Sequence, residues 1–484
     1  MEIAVVFLIS VCLRFWGLSR FNTLVFDEVY YAKFANDYLT HTQFFNAHPP
    51  LGQYIIAIGL WIGSYLPFGQ DTVNNLTGSL HSTWSYRWLN ALTGSFIPLV
   101  VAGIAYQLSH RRSYTLLATI FAAADGLFLV ESRYALNNVY LVIFGLIGQW
   151  LFLLALNRYG SQRRFWLTLA GISFGASAAV KWNGLWFLLG AYLIWTTAWV
   201  IQWVRSHRGK GGQGDKEIGV TLISSFELRS PLENLTQLNW LSILFYLGII
   251  PVLVYSISWI PHLQINPTPG FWAIQKKILE YHQHLGNGPN VHPYCSAWYT
   301  WPLMLRPMAY FYKTAQSLGE PVPIVGPPLP AASAKVIYDV HAMGNPILWW
   351  LSTAAIVFLF WTLARRQGSG VRGQGSEERE NFERSNTWIS LYLILNWLAN
   401  LLPWVKVTRC TFIYHYMGAS VFAGLALAWV VDRWLQSYRR DYRAIGVTAI
   451  FLVLLAFVFW MPVYLGLPLS PESFRLRMWF PSWI

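Results

Sequence analysis

The chain has 484 residues, 55% of them hydrophobic and 11% charged, with 27 Trp and a mean hydropathy of +0.38. A soluble domain carries roughly a quarter charged residues, so this composition excludes an ordinary soluble protein. The formal net charge of +13 would suit nucleic acid, but its distribution along the chain assigns it to membrane topology.

Apolar stretches long enough to cross a bilayer as helices, about 17–25 residues each, recur from end to end. They fall near 1–19, 88–108, 115–131, 135–156, 166–181, 184–204, 240–260, 346–364, 387–403, 411–431 and 444–465. With eleven spans the loops alternate sides, and loops 110–112, 157–164, 205–229, 364–384 and 432–443 hold 19 of the 34 Lys and Arg. The positive-inside rule places those loops in the cytoplasm, where they also attract anionic lipid heads. The N-terminus is then cytoplasmic, while loop 20–87, loop 261–345 and the C-terminus lie outside. The first stretch lacks a basic start and a small-residue cleavage site, and Arg14 interrupts its far end. It reads as a retained helix, not a signal peptide.

Within the first outer loop, 51–66 is apolar but short, which suits a helix lying at the interface. Counting it as a span would put every basic loop outside. Two Gly-rich stretches, 206–214 and 365–378, cannot build a core and read as disordered inserts. Segment 261–345, rich in aromatics, His and Pro, reads as a lid or acceptor platform with a helix near 270–285. The expected division is an N-terminal transmembrane catalytic module over 1–260, the outer segment 261–345, and a four-span module over 346–484 with an insert at 365–386. A disulfide between Cys295 and Cys410 is conceivable outside the cytosol, but the unpaired state is the expectation. No P-loop, GxGxxG, zinc pattern or repeat is evident.

The chemistry starts at Phe26-Asp27-Glu28-Val29-Tyr30-Tyr31, directly after the first span. Adjacent carboxylates at a membrane edge are costly to desolvate and need a reason to be there. Deprotonating a hydroxyl that attacks a sugar held on a membrane lipid supplies one. Asp27 is the candidate base and Glu28 a neighbour that could orient the acceptor; the bland alternative is a solvated acid pairing with Lys33 or Arg87. His48-Pro49-Pro50 makes a rigid corner. Arg87, Arg133 and Lys181 sit at outer span ends, where a cation either snorkels or holds a lipid phosphate. Asp125, inside the third span, is a functional candidate or a bridge to Arg133 two helical turns away.

Together these pieces resemble the protein O-mannosyltransferases. The matching blocks are Phe26 to Tyr31, His48-Pro49-Pro50-Leu51-Gly52, Arg87-Trp88-Leu89-Asn90, Asp125 to Arg133, Gly171 to Gly175 and Lys181-Trp182-Asn183-Gly184. Further along, His292 to Pro302, Leu305-Arg306-Pro307 and Phe412-Ile413-Tyr414-His415-Tyr416-Met417 also match. The resemblance implies an all-α polytopic GT-C glycosyltransferase with about eleven transmembrane helices. It implies inverting transfer of mannose from a polyprenyl (dolichyl) phosphate to Ser or Thr of exported proteins. Asp27 would be the base, with Glu28 holding acceptor or donor and Arg87 the cation near the reaction centre. His48, Arg133, Lys181, His292, Arg306 and His415 would contribute to donor or acceptor binding. No metal site and no cofactor beyond the lipid-linked donor is implied, nor any nucleic-acid partner. The setting implied is a bacterial plasma membrane with the active site outside, because 261–345 has no room for a β-trefoil domain. Two departures stand out: Gln53 where the family motif has Lys, and Asn138 where it has Asp. Competing readings are a GT-C transferase moving another lipid-linked sugar to a lipid or glycan, a transporter or flippase, and a non-catalytic scaffold.

Overall fold

The structure is a computed structural model that describes residues 1–208, 231–316, 322–325, 335–368 and 377–484. It opens with α1 (Glu2–Phe15), α2 (Glu28–Leu39), α3 (Leu51–Ser64) and a short hairpin of β1 (Val73–Asn74) and β2 (His81–Ser82). A helical run follows: α4 (Thr83–Ser109), α5 (Arg112–Ala123), α6 (Gly126–Ser132), α7 (Asn138–Leu156), α8 (Gly160–Val180) and α9 (Leu185–Arg208). The chain continues through α10 (Pro231–Thr236), α11 (Trp240–Ile243), a π-helical stretch at Leu244–Ile249, α12 (Ile250–Ser258), α13 (Ile260–Ile265) and α14 (Phe271–His284). Strands β3 (Met308–Ala315) and β4 (Val336–Ala342) come next. Then follow α15 (Pro346–Gly368), α16 (Glu377–Leu401), α17 (Met417–Leu435), α18 (Arg440–Leu465) and α19 (Pro471–Arg475). The two expected Gly-rich inserts lie mostly outside the described residues.

The many-span helical architecture is observed. Among the described residues, however, eight helices are long and apolar enough to cross a membrane, or nine if the bent α5–α6 pair is one span. The expected count of about eleven is not confirmed among them. With 14 residues, α1 is about 21 Å long at 1.5 Å per residue, short of a hydrocarbon core of about 30 Å. The start of α8 is polar, with Gln162, Arg163 and Arg164. Burial ranks the spans. In Ile413–Leu435 94% of the apolar window is buried, against 22% in Trp240–Ile265, so α17 is the core of the bundle and α11–α13 face lipid. That lipid-facing stretch lies very close to α8. A Cβ added to Gly171 would sit 2.0 Å from the Tyr246 carbonyl oxygen, and one on Gly175 would sit 2.7 Å from that of Pro251.

The break between α5 and α6, a bend of 59°, sits at Asp125. Its carboxylate caps α6 by accepting from the Leu127 and Phe128 amides at 2.8 and 3.4 Å, and it accepts from Trp349 Nε1 at 2.7 Å. A short acceptor at this position satisfies the orphan N–H groups of a restarted helix. The Asp125–Arg133 bridge allowed by the sequence does not form. Arg133 instead donates to the carbonyls of Leu13, Arg14, Trp16 and Gly17, capping the exit of α1.

Two features of 261–345 depart from the sequence-based picture. Besides α14, where a helix is expected, the segment forms an antiparallel β3–β4 hairpin, from Met308↔Ala342 to Ala315↔Val336 with a bulge near Ala309. Every residue of β4 is buried. Residues 322–325 run beside 20–22, with Asn22 N donating to Pro323 O and Val325 N to Arg20 O. The expectation of unpaired cysteines is also corrected: Cys295 and Cys410 form a disulfide, their Cα atoms 5.2 Å apart. Sequence alone could not bring them together, because α15, α16 and the hairpin lie between them.

Candidate active site

The loop after α1 is built around one buried ion pair. Arg87 on α4 donates from Nε and Nη2 to Glu28 at 2.9 and 2.8 Å, and to the carbonyls of Leu18, Phe21 and Thr23. These five bonds use all five guanidinium N–H groups. Glu28 also accepts the Val25 and Ala135 amides at 2.8 and 2.9 Å. Both side chains have no exposed surface. The pair therefore fixes the path of residues 18–28 and ties it to the α6–α7 turn. Arg87 has no donor left to offer a phosphate, and Glu28 has no free face for a substrate.

Asp27 is presented differently. Phe26 takes the left-handed conformation (φ 52°) and stacks on Tyr310 of β3 with centroids 4.1 Å apart. A left-handed non-glycine residue is costly and persists where surrounding contacts hold it. Its effect is to turn Asp27 away from the Glu28–Arg87 pair, with part of its surface open. Burial pushes the Asp27 carboxyl up to about 6, while Lys181 and a hydrogen bond from Tyr31 pull it back only in part.

A hydrogen-bonded line runs past Asp27. Lys181, at the end of α8, donates to Asn138 Oδ1 at 2.8 Å. The Asn138 amide donates to both Glu131 oxygens at 3.1 and 3.2 Å, and the Tyr310 hydroxyl also bonds Glu131. All four side chains are less than a tenth exposed. The ammonium lies over the rings of Tyr31 and Tyr414, 5.7 and 5.4 Å from their centroids. Asn138, which replaces the Asp of the resembling motif, is thus the neutral link between a buried cation and a buried anion.

Beside this line opens a cavity of about 780 Å³. At one end it is lined by Lys181, Lys406, Arg409, His48, His282 and His415, and among the described residues no carboxylate lines it. Apart from Asn183, Gln283 and Thr408 the rest is mostly apolar, from Trp186 and Leu188 of α9 to Leu247, Pro251 and Val252 of the lipid-facing helix. The His48 and His282 rings are 5.3 Å apart. Burial and the nearby cations hold both imidazoles neutral, His282 down to about 4 and His48 well below its ordinary value. The chemistry of this lining suits an anion on an apolar tail.

The remaining candidates separate. His48, Lys181 and His415 line the cavity, and Asp27 stands beside Lys181. Arg306 instead donates to the carbonyls of Pro293 and Ser482 and lies over the Tyr294 ring, pinning the C-terminal segment. His292 packs edge-on against Phe412 and accepts from the Tyr294 amide. Gln53 is buried. With its amide turned to suit its neighbours, it bonds Asn46, Asn137 and the carbonyls of Pro49 and Pro50, so it shapes the His48 corner. Glu131 and Arg409 were not singled out from sequence. Glu131 is an acid in an apolar run, the same signal that drew attention to Asp125; Arg409 had none, lying in the short loop with Lys406 just outside the motif that begins at Phe412. Among the described residues no group of three or more His, Cys, Asp or Glu is arranged to hold a metal ion.

The fold and the site define a multi-span membrane glycosyltransferase, and comparison with known proteins specifies which. Residues 4–265 match the family model for dolichyl-phosphate-mannose-protein mannosyltransferase, and residues 267–483 match that for the C-terminal four-span region of protein O-mannosyltransferase. The chain belongs to the protein O-mannosyltransferase family. It is 24% identical to the polyprenol-phosphate-mannose–protein mannosyltransferase of Mycolicibacterium smegmatis, over 96% of this chain and 88% of that one. It is 25% identical to the protein of that description from Corynebacterium glutamicum, over 99% and 92%. Among solved structures, its fold matches the S. cerevisiae protein O-mannosyltransferase Pmt1–Pmt2 complex bound to the sugar donor. That match has a TM-score of 0.76 at 14% identity, over 100% of this chain and 92% of that one.

Proposed function

We propose that this enzyme transfers mannose, with inversion, from a polyprenyl-phosphate donor to Ser or Thr hydroxyls of exported proteins, on the outer face of a bacterial plasma membrane. The observation that carries this reading is Asp27 beside a cavity whose head is cationic and whose body is apolar. The lipid lies along α9 and α12, and its phosphate meets Lys181, Arg409 and the histidines. Asp27 takes the proton of the acceptor hydroxyl, whose oxygen attacks the anomeric carbon from the face opposite the phosphate. The bond from that carbon to the phosphate oxygen breaks, and its electron pair leaves with the phosphate. The cationic head offsets the charge that builds there. Glu28 and Arg87, to which the family resemblance gives substrate roles, instead hold the loop that presents Asp27. Glu131 keeps Asn138, and through it Lys181, in place.

The test is transfer of labelled mannose from polyprenyl-phosphate mannose to a Ser/Thr-rich peptide in membranes. Wild type and Asp27→Asn are compared at equal expression. Transfer by wild type that collapses in the variant supports the reading. No transfer by folded wild type, or full transfer by Asp27→Asn, overturns it.

A further inference from the structure

Arg409 differs from Lys181, His282 and His415 at the head of the cavity in how it is held. Lys181 ends a helix, His282 lies on α14, and His415 sits in the tight turn that starts α17, stacked on Trp301 and edge-on to Trp404. Arg409 is on a loop, and its one side-chain hydrogen bond among those described runs to the carbonyl of its neighbour Cys410, at 3.0 Å. Its charge nevertheless reaches His48, His282, His415 and Lys181. What fixes the loop is the strand of chain laced to it. Cys410 N donates to Gly286 O at 2.8 Å, Ser296 N to Thr411 O at 2.8 Å, and Thr411 Oγ1 to Ser296 O at 2.7 Å. The disulfide Cys295–Cys410 closes the same seam.

We infer that the Cys295–Cys410 disulfide is a positioning element for Arg409, so that the oxidised enzyme holds its donor more tightly than the reduced one. This rests on the reading of the cavity as the donor site. Neither sulfur touches the reacting atoms. A dithiol reductant breaks the S–S bond and forms two thiols, itself being oxidised to its disulfide. The loop then keeps only its few hydrogen bonds, and Arg409 loses its fixed place. A phosphate contact to a charged group lost in this way corresponds to a donor KM raised roughly tenfold.

The experiment uses the full-length protein with Cys12→Ser, which removes the one other cysteine of the chain. Folded enzyme in lipid nanodiscs is assayed with polyprenyl-phosphate mannose and a Ser/Thr peptide, before and after reduction, with thiols counted by alkylation and mass. The expected result is a donor KM raised roughly tenfold on reduction with kcat within about twofold, the same shift in Cys295→Ser/Cys410→Ser, and a raised KM in Arg409→Ala that no longer responds to reductant. Two free thiols in the isolated protein, an unchanged donor KM after verified reduction, or a full response to reductant in Arg409→Ala each overturn the inference. If Arg409→Ala leaves donor KM unchanged, the donor-site reading falls and takes this inference with it. If Arg409→Ala raises donor KM while reduction does not, the inference alone falls.

Discussion

The Lys181 ammonium is held by the side-chain oxygen of Asn138, a neutral amide, and not by a carboxylate. An isolated buried cation is expensive, and here the charge is shared with nearby Asp27 and Glu131 without a direct ion pair to either. On the proposed reading, that leaves the ammonium available to an incoming anion at the head of the cavity.

Asn138 is therefore the most informative single position to change. Asn138→Asp places a carboxylate against both Glu131 oxygens and gives Lys181 a full anionic partner. Transfer should fall roughly tenfold or more, with donor KM rising more than kcat falls. Asn138→Leu, which cuts both bonds, should lower kcat and donor affinity together. Steady-state kinetics at varied donor distinguish the two; equal and unchanged parameters in both variants would remove the link from the mechanism.

The acid limb of the pH profile should report Asp27. A base acts when deprotonated, and burial raises this carboxyl to about 6. Transfer per unit enzyme at low donor should drop as pH falls through that value, whereas an ordinary Asp would stay active to near pH 4. Asp27→Asn should lose roughly a hundred- to ten-thousand-fold in kcat and keep donor binding.

Glu28 and Arg87 should behave as a structural pair. Glu28→Gln or Arg87→Met leaves the other partner buried with unmet bonds, at a cost of about 3–5 kcal/mol. Thermal unfolding in detergent should show a clear drop in midpoint for each. Activity lost at an unchanged midpoint would return Glu28 to the list of groups that touch substrate.

Phe26 separates backbone strain from stacking. Phe26→Gly relieves the left-handed conformation, which costs about 1–2 kcal/mol, but gives up a ring stack worth about 0.5–1.5 kcal/mol. Its melting point should lie near that of wild type, with kcat reduced because Asp27 loses its anchor. Phe26→Val loses the stack and keeps the strain, so it should be worse on both measures.

How much of this was legible in sequence follows from what each residue's signal depends on. Span composition is local, so the helical architecture could be read directly, apart from the short α1 and the polar start of α8. Asp27, His48, Lys181 and His415 belong to contiguous motifs and could be singled out. The roles of Glu28 and Arg87 could not be, because a motif shows the type of a side chain and not which bonds exhaust it. The hairpin was hidden because its strands are 20 residues apart and β4 is covered on both faces, its alternating Asp339 and His341 buried and paired with each other where a polar face would meet water. The disulfide and Arg409 depend on contacts across more than a hundred residues.

The glycines of α8 set a limit of another kind. Because Gly171 and Gly175 bring two backbones into contact, the wall of the cavity formed by the π-helical stretch and α12 has no slack in which to retreat. On the proposed reading of the cavity, a bulkier or stiffer isoprenoid gains no room from that wall moving closer to α8. The side that α9 presents is no softer: Trp186 and Tyr192 line it, and the Tyr192 hydroxyl donates to Leu247 O at 2.7 Å, tying α9 to the same wall. On the proposed reading, the slot is a gauge of set width, and a carrier is admitted or refused by its girth.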